Sequence, residues 1–262
     1  MTSLLTISSS RSKVEIRSLF RNRQQLVFTI FFPVLLLLIF GSVFTSSVLP
    51  GIKFAQYFTA GIIASGVVYT AFQNLAIAIP MERDAGTLKR LRGTPMPAAA
   101  YFMGKIAQVV ISYVFQVAIL ILVGAVFFGV HLPTSATAWI NFVWISVLGL
   151  LCFTLLGIAF SSLAKNGDSA PALVTPVVLV AQFTSGVFIQ FNTLPKWMQD
   201  VASVFPLKWM CEGMRSVFLG GKAAALQPHG SYQLGEVALM LALWSVIGGV
   251  LAWRTFRFVD KS

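Results

Sequence analysis

Six stretches of this chain, at about 27–46, 54–79, 106–128, 138–160, 172–191 and 234–253, are apolar and almost free of charge, and they decide what it can fold into. An α-helix rises 1.5 Å per residue, so about 20 apolar residues match about 30 Å of hydrocarbon. Only 10% of the 262 residues are charged and 57% are hydrophobic, 23 of them Phe, whereas a soluble domain carries roughly 25% charge. These features predict an all-α integral membrane protein with six transmembrane helices. The net charge of +11 does not indicate nucleic acid, because the bases stand at the ends of apolar spans, where they suit anionic lipid headgroups.

The charges also predict an orientation. The N-terminal segment, residues 81–105, the 165–168 loop and the C-terminal tail together hold 14 Lys/Arg against 5 Asp/Glu, and the opposite face holds 5 against 3. The first group is expected in the cytoplasm, with both termini. Residues 1–26 read as a tail and an amphipathic, interfacial helix, 27–256 as one membrane domain and 257–262 as a cytoplasmic tail. The first apolar run lies too deep for a cleaved signal and is expected to remain as an anchor. Pro33 is expected to kink the first span.

Residues 193–220 are broken at Pro206, rich in Trp and Met and too interrupted by charge to span. They predict an outer re-entrant hairpin with Trp197 and Trp209 as interface anchors, in which Glu212 and Arg215, three apart, are able to pair and either gate the outer side or stabilise the hairpin. Gln56, Thr59, Gln73, Asn74, Gln116, Gln182, Thr184 and Ser185 are polar within apolar spans. They are candidates for a substrate path or, singly, for helix-to-helix hydrogen bonds.

Cys152 and Cys211 have no disulfide or metal spacing, and His131 and His229 are isolated. No nucleophile, base and orienter set occurs, and no spaced pair of intramembrane carboxylates, which weighs against an enzyme or a proton-coupled transporter. The densest charge lies in "MERDAGTLKRLRGTPMPAAAYFMGK", residues 81–105, with Glu82, Arg83, Asp84, Lys89, Arg90, Arg92 and Lys105. From spacing alone these charges read as topology markers, with Gly93, Pro95 and Pro97 ending any helix that starts near Asp84 and Lys105 standing where the third span begins.

The pattern "ERDAGTLKRLRGTPMP" resembles the first cytoplasmic loop of permeases of the ABC-2 family of ATP-binding-cassette exporters, which include daunorubicin-type drug exporters. The matching residues are Glu82, Arg83, Gly86, Thr87, Leu88, Leu91 and Pro95, and the run Pro206, Leu207, Trp209, Gly213, Met214 and Arg215 resembles the family's pattern before its last span. The resemblance implies the type V exporter fold, two separate ABC ATPase subunits that bind ATP and Mg, and a second permease chain, identical or homologous. The chain itself has no phosphate-binding GxxxxGK[ST] pattern, so ATP chemistry belongs to a partner.

The resemblance further implies that 82–92 is the coupling helix seated on the ATPase, with Glu82 and Arg83 in charged contact, beside a connecting helix over 11–24. Lys165, Asn166 and Asp168, around Gly167, would form a second, smaller contact. The implied activity is export of drugs, antibiotics or hydrophobic lipid-like compounds across a bacterial cytoplasmic membrane. Export of polysaccharide, teichoic acid or glycolipid is the alternative within the family, and a non-transporting scaffold or channel is the alternative outside it.

Overall fold

The computed structural model describes residues 4–22, 27–93, 97–227 and 230–256. Helix α1, Leu4–Arg21, starts seven residues before the expected connecting helix. Its buried stripe is Ser8, Glu15 and Leu19, while Lys13, Arg17 and Arg21 stay exposed. Val14 and Phe20 are 54% and 47% exposed, because the face turned inward is built on a carboxylate. Phe20 meets Phe115 edge-on at 5.6 Å, so α1 lies along a membrane helix and not only on lipid.

The first apolar run forms a π-helical turn, Val27–Phe31, and then α2, Phe32–Val43. Pro33 stands at the junction of the two, where the run passes from π-helical to α-helical geometry. The link that follows departs from an all-helical fold: β1, Ser47–Leu49, pairs antiparallel with β2, Ile52–Lys53, around Gly51.

Helix α3, Phe54–Val67, a π-helical segment, Val68–Gln73, and α4, Asn74–Asp84, form one continuous rod. Of its most apolar stretch 83% is buried, against 39%, 56% and 22% in the three other long helices, which makes the rod the axis of the bundle. It runs past the expected end at 79 and carries Glu82, Arg83 and Asp84 on its last turn. The expected helix over 82–92 is therefore two pieces. Ala85 and Gly86 break it, and α5 spans only Thr87–Arg92. Gly86 has φ +70° with nothing within 4 Å of a built Cβ, so it is required for the left-handed turn and not for space.

Helix α6, Ala98–Phe128, begins eight residues before the expected third span, so Lys105 stands two turns inside it. Pro95 lies outside the described residues. Helix α7, Ala136–Phe160, is capped by the Ser135 hydroxyl, which accepts from the Ala138 amide at 3.2 Å. Helix α8, Ser169–Thr184, stops seven residues short of the expected span end. Helices α9, Lys196–Val204, and α10, Pro206–Leu219, meet at an extended Phe205, as the proline at 206 predicts. Helix α10 is buried nearly throughout and lies against the rod. Trp197 is exposed, but Trp209 is buried and donates its indole N–H to the Ser203 carbonyl at 2.7 Å, which removes it as an interface anchor. Helix α11, Leu234–Thr255, packs on α7.

Among the described residues, Phe54–Asp84, Ala99–Phe128, Ala136–Phe160 and Leu234–Thr255 are long and apolar enough to cross a membrane, and Phe32–Val43 and Ser169–Thr184 are shorter apolar helices. Small residues let these helices approach closely. A Cβ on Gly157 would stand 2.8 Å from the Phe72 carbonyl oxygen of the rod, whereas one on Gly235 would meet nothing. Gly157→Ala is expected to cost about 1–3 kcal/mol, read as a lower thermal midpoint in detergent, and Gly235→Ala to leave the midpoint unchanged.

Candidate functional site

The end of the bundle at which the rod stops gathers charges from four parts of the sequence. Lys105 of α6 is 2% exposed at its side chain and donates to Glu15 of α1 at 3.0 Å. It also pairs with Glu82, whose second oxygen accepts the Tyr101 hydroxyl at 2.9 Å. Arg11 pairs with Glu15 one turn away on α1, and its guanidinium lies 5.6 Å from the Tyr101 ring centroid. Two bases and two acids thus form a neutral cluster that joins α1, the rod and α6. The helices approach closely because residue 104 is glycine: a Cβ there would stand 2.8 Å from Cγ of Arg11.

The next two residues of the rod bind the second loop. Arg83 donates to the Ala164 carbonyl at 2.8 Å, and the Asp84 carboxylate accepts the Gly167 amide at 2.5 Å. Asn166 closes that loop on itself by accepting the Ser169 amide at 2.8 Å. Glu82 therefore holds α6 and, through Lys105, helix α1, while Arg83 and Asp84 hold the loop that follows α7. Leu88 of α5 is fully buried and Thr87 and Leu91 are partly buried, while Lys89, Arg90, Lys165, Asn166 and Asp168 are exposed. The two segments that sequence treats as separate contacts form one platform.

The Glu82 carboxylate is occupied within the chain, by Lys105 and the Tyr101 hydroxyl. Reading the sequence left out Arg11, Glu15 and Tyr101 and took Lys105 for a charge at the start of a span. Two signals pointed to the cluster: Glu15 is the lone acid of a basic helix, and Lys105 is a lone cation in an apolar one.

The residues proposed for a substrate path stand on the rod, on α6 and at the end of α8. Gln56 donates to the Phe218 carbonyl at 2.8 Å, Thr59 to Ala55 at 2.7 Å and Thr184 to Val180 at 2.9 Å. Asn74, Gln116, Gln182 and Ser185 are buried, and Gln73 is partly buried. A cavity of about 370 Å³ beside α2, lined by Val27, Phe31, Phe32, Val34, Leu35 and Leu38, includes none of them. At the opposite end of the rod Glu212 does not pair with Arg215. It takes Lys208 at 2.8 Å, the i, i+4 partner on the same helix, and accepts the Gln233 amide at 2.8 Å. Cys152 and Cys211 are buried free thiols, His131 is exposed and His229 lies outside the described residues. Among the described residues no three His, Cys, Asp or Glu are grouped to hold a metal.

Removing one partner of a buried ion pair strands the other, at a cost of about 3–5 kcal/mol. Lys105→Met leaves Glu15 and Glu82 facing each other and is expected to lower the thermal midpoint sharply. The triple variant Lys105→Met, Glu15→Gln, Glu82→Gln is expected to recover most of the loss, which differential scanning fluorimetry in detergent reads directly.

Residues 11–219 match the family model of the ABC-2 type transporter. The inner membrane transport permease YadH of Escherichia coli strain K12 is 26% identical over 213 residues, covering 80% of this chain and 82% of that one. The transport permease YvfS of Bacillus subtilis strain 168, itself named as putative, is 20% identical over 218 residues, covering 83% and 87%. The probable multidrug ABC transporter permease YbhR of Escherichia coli strain K12 is 22% identical over 170 residues, covering 65% and 45%. With its long apolar helices, the chain is a multi-pass membrane protein, and it belongs to the ABC-2 type transporter family.

Proposed function

We propose that this chain is the permease subunit of an ATP-driven exporter and that the platform formed by Glu82–Arg92 and the 165–168 loop is its contact with a separate ATPase. The observation that carries this reading is the fixation of both loops to the last turn of the rod, through Arg83 to Ala164 and Asp84 to Gly167. Lys89, Arg90, Lys165, Asn166 and Asp168 are the exposed groups that meet the partner, and Leu88 seats α5 on the bundle. Glu82 sets the platform's register through Lys105 and makes no direct contact with the ATPase.

Two ATPase subunits, each binding ATP and Mg, act on two permease chains, this one and an identical or homologous copy. The shorter helices Phe32–Val43 and Ser169–Thr184 complete six spans together with the four long ones, α9 and α10 stand at the outer face, and the excess of bases at the platform end puts both termini in the cytoplasm. ATP binding displaces the platform, and the buried rod carries the displacement to the outer end, shifting the population between inward- and outward-open states. The exported compounds are drugs or hydrophobic lipid-like molecules; the name of YbhR as a multidrug permease favours this class over polysaccharide or glycolipid.

The test is reconstitution in lipid with the candidate ATPase. Added substrate is expected to stimulate ATP hydrolysis, and Lys89→Glu with Arg90→Glu to abolish co-purification of the ATPase while leaving the thermal midpoint of the chain unchanged. Normal assembly and stimulation in that double variant would contradict the platform reading.

A further inference from the structure

At the end of the rod opposite the platform, the structure encloses more positive charge than it neutralises. Arg215 is 2% exposed, and among the described residues no carboxylate lies within 4.0 Å of it. The one carboxylate nearby, Glu212, is taken by Lys208 and the Gln233 amide. Lys208, Glu212 and Arg215 therefore sum to one buried positive charge, and a guanidinium does not release its proton. The compensation in place is partial: one bond from Arg215 to the Gly186 carbonyl and the face of Tyr57, 4.0 Å from the guanidinium carbon.

Around this charge stand donors without acceptors. The Arg215 Nε–H, the Ser185 hydroxyl and the Tyr232 hydroxyl are buried and have no hydrogen-bond partner. Chain connectivity sets the backbones of Ser185 and Tyr232 beside groups that Arg215 and Glu212 hold. Ser185 directly precedes Gly186, whose carbonyl Arg215 holds, and Tyr232 directly precedes Gln233, whose amide Glu212 holds three residues from Arg215. Burial pushes the Tyr232 phenol above its ordinary pKa, with Arg215 pulling it down and Glu212 pushing it up, so the ring lies in the field of both charges and remains a donor. Tyr232 is partly exposed while its hydroxyl is buried.

A surplus guanidinium with two unpartnered hydroxyls is the donor set that an oxyanion satisfies, since each donor–oxygen bond is charge-assisted. We propose that Arg215, Tyr232 and Ser185 form a binding site for an oxyanion, the phosphate of an amphiphile. The site goes beyond the ATP-coupling function and needs no ATPase.

The purified chain, without any ATPase, is titrated in maltoside micelles with dodecyl phosphate, dodecyltrimethylammonium and inorganic phosphate while its thermal midpoint is followed. Dodecyl phosphate is expected to raise the midpoint saturably and the ammonium amphiphile to leave it unchanged. Arg215→Gln is expected to weaken the phosphate effect about tenfold or more, and Tyr232→Phe, which keeps the ring, about threefold to tenfold. Lys53→Ala, an exposed cation at the same end, is expected to change nothing. A response to dodecyl phosphate alone identifies an amphiphile headgroup, and an equal response to inorganic phosphate identifies a free anion at the same oxyanion site. Equal responses to both amphiphiles overturn the site, as does an unchanged affinity in Tyr232→Phe, which decides the matter if Arg215→Gln does not fold. Because no ATP is involved, failure here leaves the coupling function standing, and failure of coupling leaves this site standing.

Discussion

The Lys105 ammonium, held between the carboxylates of Glu15 and Glu82, is the interaction on which the charged end of this protein depends. An ion in so apolar a setting is stable only if its partners are close and its hydrogen bonds are made. Here Arg11 balances the second carboxylate and Tyr101 satisfies the free oxygen of Glu82. The cluster is neutral as a whole, and its two carboxylates are 90 and 23 residues from Lys105 along the chain. It sets where α1 lies, how the rod ends and how deep α6 begins.

From that anchor the rod extends to Tyr57, about 40 Å away at 1.5 Å per residue. Its first turn supports α10 through Gln56 and the Tyr57 ring, and its last turn supports both loops of the platform. One buried element therefore has a specific contact at each end, which suits the transmission assigned to it under the proposed function. The π-helical segment Val68–Gln73 interrupts regular α geometry near its middle, where such segments often mark functional sites. Gly157 of α7 packs directly on Phe72 within it, so any adjustment of the rod there moves α7 as well.

Much of this was legible in the sequence. Apolar length and charge bias gave the helices and their order, Pro206 gave the break between α9 and α10, and the "ERDAGTLKR" run gave the charged loop with its family. The misses share a cause: pattern reading treats each charge by its neighbours in sequence, whereas burial depends on neighbours in space. Lys105 was read as a boundary because it precedes an apolar run, yet its partners are on α1 and the rod. Glu212 and Arg215 have the spacing of a pair, yet Lys208 at four residues and the Gly186 carbonyl won the competition. Trp209 has the composition of an interface anchor, but α10 turns it into the core. The break at Gly86 was in principle readable, since a glycine after a charged turn is a common helix stop.

The central claim is that the last turn of the rod fixes two loops into one platform that meets an ATPase. Photo-crosslinking amino acids placed singly at Lys89 and Lys165 in the assembled complex test it most directly. Both positions are predicted to capture the same ATPase subunit, and a probe at Glu82 to capture none. An ATPase that co-purifies but crosslinks to neither exposed position would contradict the claim.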